Sequence, residues 1–264
     1  MKKLLGFSIF LVFVLIASLT AEAKVTLPAI FSDNMVLQQN TQVNVWGKAA
    51  PGEKVTVKAS WLDKAVTAKA AANGKWTVKL KTPKAITNQS VTVSGENEIT
   101  INNVLIGEVW LCTGQSNMEF PVSRHPDVKW NTGMLNEAEE LKDADYPEIR
   151  LFHVKHQLAH EGELDDCEGE WLVCNPKNLY DFSAVGFVFG RKLYKELKMP
   201  VGLIQSTWGG THAESWTKLD VMKKNPLYAD VLKDFALEGV KQQKNYCKVP
   251  ATLWNGMIHP ILGY

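Results

Sequence analysis

Two short stretches hold the residues best suited to chemistry. The first is Thr113-Gly114-Gln115-Ser116-Asn117-Met118; the second runs Ser206-Thr207-Trp208-Gly209-Gly210-Thr211-His212-Ala213-Glu214-Ser215-Trp216. Ser116 follows an apolar run of Leu105, Ile106, Val109, Trp110, Leu111 and Cys112. Such a run predicts a strand buried on both faces of a parallel sheet. A hydroxyl lifted from the C-terminal end of that strand stands where open α/β sheets bind ligands, which makes Ser116 a candidate nucleophile. The residue two after Ser116 is Met118, so this is not the G-x-S-x-G elbow. In the second stretch, Gly209 and Gly210 follow the apolar run Val201–Gln205 and leave backbone N–H groups uncovered. Groups of that kind stabilise the oxyanion of acyl transfer, at about 2.7–4 kcal/mol per donor. Each stretch alone also reads as an ordinary turn. Their conjunction, in this order and roughly ninety residues apart, favours chemistry.

The elements that position these stretches come in two styles. From Lys24 to about Asn103, apolar residues alternate with polar ones in short segments: Val43 and Val45; Val55, Val57, Ala59 and Trp61; Trp76, Val78 and Leu80; Val91 and Val93; Ile99 and Ile101. Pro51-Gly52, Asn73-Gly74 and Gly95-Glu96-Asn97 punctuate them as turns. This predicts a small all-β sandwich or jelly roll over residues 24–103, an accessory unit without catalytic character. At Val104 the pattern changes to buried strands alternating with helices, and a second domain is expected over 104–264. Trp130 to Asp145 reads as a loop and surface helix, and Glu148 to Val154 as a strand. Asn175 to Asp181 reads as loop. Ser183 is placed to cap a helix from Ala184 to Leu197 with Val185, Val188, Phe189, Leu193 and Leu197 on its inner face, stopped by Pro200. A charged helical stretch with Leu227, Val231, Leu232 and Phe235 as its apolar positions fills the interval from Trp216 to Pro250.

Composition narrows the partners. Met1-Lys2-Lys3, an apolar run from Leu4 to Leu19, and Ala21-Glu22-Ala23 read as a signal peptide of residues 1–23, cut after Ala23. The expectation is an exported protein, periplasmic or extracellular, with no membrane span after cleavage. Cleavage removes two of the 29 basic and one of the 28 acidic residues, leaving the charges balanced. A balanced chain has no long-range attraction for nucleic acid, and suits neutral or weakly charged ligands such as glycans. Cys167 and Cys174 flank a short segment and are placed to close a loop in an oxidising compartment, whereas Cys112 reads as a buried apolar residue. His153, His156 and His160 are closely spaced, but they sit on a strand running into a loop, so no metal site is assigned; no cofactor is implied either.

Taken together, the GQSNM and WGGT segments resemble the first and second blocks of the SGNH-type carbohydrate acetylesterases, the sialate O-acetylesterases among them. The segment Leu253-Trp254-Asn255-Gly256-Met257-Ile258-His259-Pro260 is similar to a further segment of that family, so the resemblance spans the chain from residue 24 onward. It implies an α/β SGNH-hydrolase-like fold with a flavodoxin-like parallel sheet, here incomplete, behind the β-sandwich. It implies a serine esterase that removes O-acetyl groups from sialic acid or another O-acetylated carbohydrate. Ser116 would be the nucleophile and Gly209, or alternatively Gly210, the oxyanion donor. Gln115, Asn117, Glu214 and Asn255 would line the substrate pocket. The resemblance also implies a third block of the WYQGE type and a D-x-x-H block that supplies the base. Neither occurs in these 264 residues. The expectation is therefore the N-terminal part of an esterase with impaired activity. A non-catalytic glycan-binding or inert fragment is the alternative.

Overall fold

A computed structural model describes residues 24–125, 133–238 and 246–264. Four of the first strands follow the predicted alternation, β2 (Gln42–Lys48), β3 (Lys54–Ala59), β5 (Lys75–Lys81) and β6 (Ile86–Ser94), and β1 (Val36–Gln38) and β4 (Val66–Lys69) join them. In β5 the burial alternates strictly, with Trp76, Val78 and Leu80 inward and four lysine or threonine side chains outward. That is the mark of a strand with one wet face. β2 pairs antiparallel with β5 as a two-stranded ribbon, while β4, β3 and β6 pair antiparallel in sequence.

β7 (Glu98–Gly114) is 17 residues long and serves both halves of the chain. Its first part pairs antiparallel with β6, from Ser94↔Glu98 to Ile86↔Ile106, and its last part pairs parallel with β10. The boundary drawn at Val104 falls inside this strand. Then come α1 (Ser116–Glu119), α2 (Glu137–Lys142), β8 (Tyr146–His153), β9 (Trp171–Cys174), α3 (Pro176–Leu179), α4 (Ala184–Leu197) and β10 (Val201–Thr207), with α5 (Leu219–Lys223), α6 (Ala229–Glu238) and short helical turns after them. One sheet runs β4-β3-β6-β7-β10-β8-β9, with β1 also paired to β7. It is mixed: β1, β7, β10 and β8 are parallel neighbours, and β9 closes the edge antiparallel to β8. One of the two core clusters reflects that continuity, packing Val55, Val93 and Ile101 with Phe152, Trp171 and Ile204.

Several expectations are corrected. β10 is buried at all seven positions, but the strand before Ser116 is not buried throughout. Among the described residues β1 covers one side of β7 only as far as Gly107, and from Glu108 onward β10 is its sole partner. Trp110 and Leu111 are accordingly 42% and 46% exposed. The N-cap of α4 is as expected, Ser183 Oγ accepting from Gly186 N at 3.1 Å, but the inner face is not. Ala184, Gly186, Phe187 and Gly190 face the sheet, while Val185, Val188, Phe189 and Leu197 are exposed. Glycine is the reason: a Cβ at Gly190 would stand 2.5 Å from Leu203 Cδ1, so the helix seats on its glycines and turns its branched residues outward. The stretch 175–181, expected as loop, contains α3, capped by Asn175, whose Oδ1 accepts from Asn178 N at 2.9 Å. Sequence reading also passed over β1, β4 and β9. All four thiols are free, and Cys167 and Cys174 lie in separate core clusters. Residues 1–23, the expected signal peptide, lie outside the described residues, as do 126–132 and 239–245.

Candidate active site

Ser116 reaches its position through a glycine-dependent bend. β7 ends at Gly114, whose φ of +147° suits glycine, and a Cβ there would stand 2.9 Å from Met118 Cγ. The chain then enters α1, with Met118 N and Glu119 N both donating to Gln115 O. Ser116 opens this turn and is exposed.

The second stretch arrives at the same edge by register. Thr207 is aligned with Gly114, and Trp208 N donates to Gly114 O at 3.1 Å, tying the two strand ends together. Gly209 therefore lies beside Ser116. A Cβ built on Gly209 would stand 3.2 Å from Ser116 Oγ and 2.8 Å from Glu119 Oε2. Gly210 has φ +72° and open space around it. Of the two glycines, Gly209 is the one the structure brings to the serine.

A third strand end completes the cluster. β8 is parallel to β10, so the chain leaving it at His153 emerges at the same edge and brings His156 beside Glu119. His156 Nε2 lies 2.7 Å from Glu119 Oε1 and 3.1 Å from Thr207 O. Its ring stacks on Trp208 at 4.0 Å with 3° between the planes. Gly209 N donates to Glu119 Oε2 at 2.6 Å. Burial alone would raise the Glu119 carboxyl, but the hydrogen bonds from His156 and Gly209 outweigh it and hold the group below its ordinary value.

The other expected residues are placed more loosely. Gln115 Nε2 reaches Thr211 O at 3.4 Å, across from the second stretch, and Asn117 is exposed beside Ser116. Glu214 is half-buried in a turn whose carbonyl accepts from Ala251 N at 2.9 Å. Asn255 gives its amide to Ala159 O at 3.0 Å, pinning the loop after β8. Among the described residues no histidine hydrogen-bonds Ser116. His259 is turned to Leu164 O and Glu163, and His212 is exposed. Sequence reading missed Glu119 and His156 as partners. Glu119 carried a usable signal, since three residues after Ser116 on a helical turn is the spacing that shares a face.

Comparison with known proteins bears on this arrangement. Residues 106–256 match the family described as carbohydrate esterase, sialic acid-specific acetylesterase. This chain belongs to that family. The mouse and human proteins named sialate O-acetylesterase are each 30% identical to it, over 88% and 87% of the chain and 49% and 45% of their own length. A solved structure, that of a carbohydrate acetylesterase from Xanthomonas citri, superposes with a TM-score of 0.74 at 30% identity, covering 90% of this chain and 48% of that one. The chain thus spans about half the length of the relatives it matches. Within this acetylesterase family, both motifs at the paired strand ends, Ser116 and Gly209, fall inside the matched region.

Proposed function

We propose that the chain carries the nucleophile and oxyanion half of a serine O-acetylesterase acting on sialic acid or other acetylated sugars. The observation that carries this is the approach of Ser116 Oγ to the Gly209 backbone at the C-terminal ends of parallel strands. Ser116 attacks the acetyl carbonyl, and the Gly209 N–H receives the oxygen as it becomes negative. The alkoxide of the sugar leaves as the free alcohol, and water later releases acetate from the acyl-serine. The proton acceptor for Ser116 is a histidine of the D-x-x-H block that the family resemblance implies. A general base contributes about 10²–10⁴-fold, so the rate at Ser116 depends on that histidine.

Two finer readings belong with this proposal. Residues 24–103 form an accessory β-sandwich whose second layer is the β2–β5 ribbon, supported by Val43, Val45 and Val78 packing in one core with Val55, Val91 and Ile101. Residues 1–23 direct export to the periplasm or beyond, where acetylated glycans are met. No helix among the described residues is long and apolar enough to cross a membrane.

The test is release of acetate from O-acetylated sialic acid and from acetylated xylan, beside covalent labelling of the full chain by a fluorophosphonate. The expected result is labelling at Ser116, lost in Ser116→Ala, with acetate release that disappears in the same variant. Labelling and hydrolysis that persist unchanged in Ser116→Ala would overturn the assignment.

A further inference from the structure

We infer that Gly209 N–H and His156 Nε2–H form a two-donor carboxylate site, which Glu119 fills in this structure and which takes acetate when Glu119 turns away. The inference rests on the reading of Ser116 as nucleophile, and it adds a donor for the second carboxylate oxygen and a built-in competitor to that reading.

Both donors converge on one carboxylate. Glu119 Oε2 accepts from Gly209 N at 2.6 Å and Oε1 from His156 Nε2 at 2.7 Å, the short lengths of charge-assisted hydrogen bonds. The protonation of Nε2 follows from its other neighbour: Thr207 O, at 3.1 Å, can only accept, so Nε2 carries a hydrogen. Neither donor is free to wander. Thr211 Oγ1 donates to Trp208 O at 2.7 Å, which holds the peptide that carries the Gly209 N–H, and the Trp208 indole lies flat on the His156 ring. Fixed donors, one aimed at each oxygen of a carboxylate, are what a bound acetate requires.

The occupant is chemically informative. The end of a glutamate side chain is a CH2–COO⁻ group, and acetate is CH3–COO⁻. One of its oxygens lies 2.8 Å from the point beside Gly209 to which Ser116 Oγ comes within 3.2 Å, so the acid sits next to the nucleophile. An acetyl ester bound for attack needs the space Glu119 fills. Rotation of the Glu119 side chain out of the site frees both donors at once, and α1, a single turn, leaves that side chain near the surface. Acetate, the product, then competes with Glu119 for the same two N–H groups.

The experiment is calorimetric titration of the full chain with sodium acetate at constant ionic strength. Glu119→Ala is expected to bind acetate at least tenfold more tightly than the parent, and Glu119→Gln to show a smaller gain in the same direction. Adding His156→Ala to either is expected to remove the gain. Equal acetate affinity in the parent, Glu119→Ala and Glu119→Gln would overturn the inference, as would a gain that survives loss of His156. Fluorophosphonate labelling run in parallel separates the two readings. Labelling of Ser116 without an acetate gain leaves the nucleophile standing and sinks the carboxylate site; an acetate gain with no labelling does the reverse.

Discussion

Arg150 offers the sharpest test of how the two halves of the sheet are joined. It lies on β8, is 4% exposed, and among the described residues meets no carboxylate in hydrogen-bonding contact. Its Nε donates to Pro147 O at 2.8 Å; its two terminal nitrogens reach Asn34 O, Asn34 Oδ1 and Asn103 Oδ1 at 3.2–3.3 Å. Asn34 precedes β1 and Asn103 lies within β7, so one guanidinium spans three segments. Burial lowers its pKa, with the nearby charge of Glu148 opposing. Hydrogen bonds to a charged donor contribute about 1.5–3 kcal/mol each. Four of them would overstate the loss on truncation, because Pro147 and Asn103 are exposed and water can replace the arginine there. Asn34 is half-buried and its Oδ1 keeps the bond from Asn103 Nδ2 at 2.7 Å, so Asn34 O is the acceptor left short, at about 1–3 kcal/mol. Arg150→Ala is therefore expected to lower stability by about 2–4 kcal/mol, and Arg150→Met, which keeps the stem but not the donors, by about 2 kcal/mol. Urea unfolding followed by circular dichroism measures both. A loss under 0.5 kcal/mol in both variants would show that the cost of burying the charge cancels the contacts, and that the junction is held by apolar packing alone.

Two further expectations follow from burial. The His153 pKa is lowered to about 4, chiefly by burial and then by the charges of Lys155 and His156, so the folded state resists protonation that the unfolded chain accepts near 6.5. The chain should lose on the order of 2–3 kcal/mol as pH falls from 6.5 toward 4, and His153→Asn should flatten that slope in pH-dependent urea titrations; an unchanged slope would remove His153 as its source. Burial also raises the Cys112 thiol to about 11 and those of Cys167 and Cys174 to about 12, with Asp166 adding at Cys167. Ellman's reagent should find one fast thiol, Cys247, and three that react only on unfolding. Fast reaction of Cys112 in the native chain would contradict the buried site assigned to it.

What could be read from the sequence is what local pattern controls. The ends of β7 and β10 were visible because an apolar run followed by glycine fixes both the strand and its exit. The Ser183 cap was visible because its hydroxyl bonds only three residues onward. The inner face of α4 was misread because hydrophobicity ranks valine above glycine. Close approach to Leu203 selects glycine instead, a constraint set by β10 and not by the helix. Trp110 and Leu111 were read as buried because composition reports the character of a strand and not its neighbours. The Glu119–His156 pair was hidden for the same reason: 37 positions of sequence separate them, and only the parallel register of β8 with β10 closes that distance.

The stacking of His156 on Trp208 has a magnetic consequence. An aromatic ring lying parallel above another at 4.0 Å places the upper ring's protons in the shielding region of the lower one. The imidazole protons of His156 should then resonate upfield of those of the other five histidines in the chain. They can be followed in an ordinary proton spectrum without isotopic labelling. Because the shift depends on the stacking as well as on the charge, it reports in one signal whether the ring is still held flat and whether it has taken up a second proton. The indole beside the cluster thus makes the charge and posture of one side chain visible from outside.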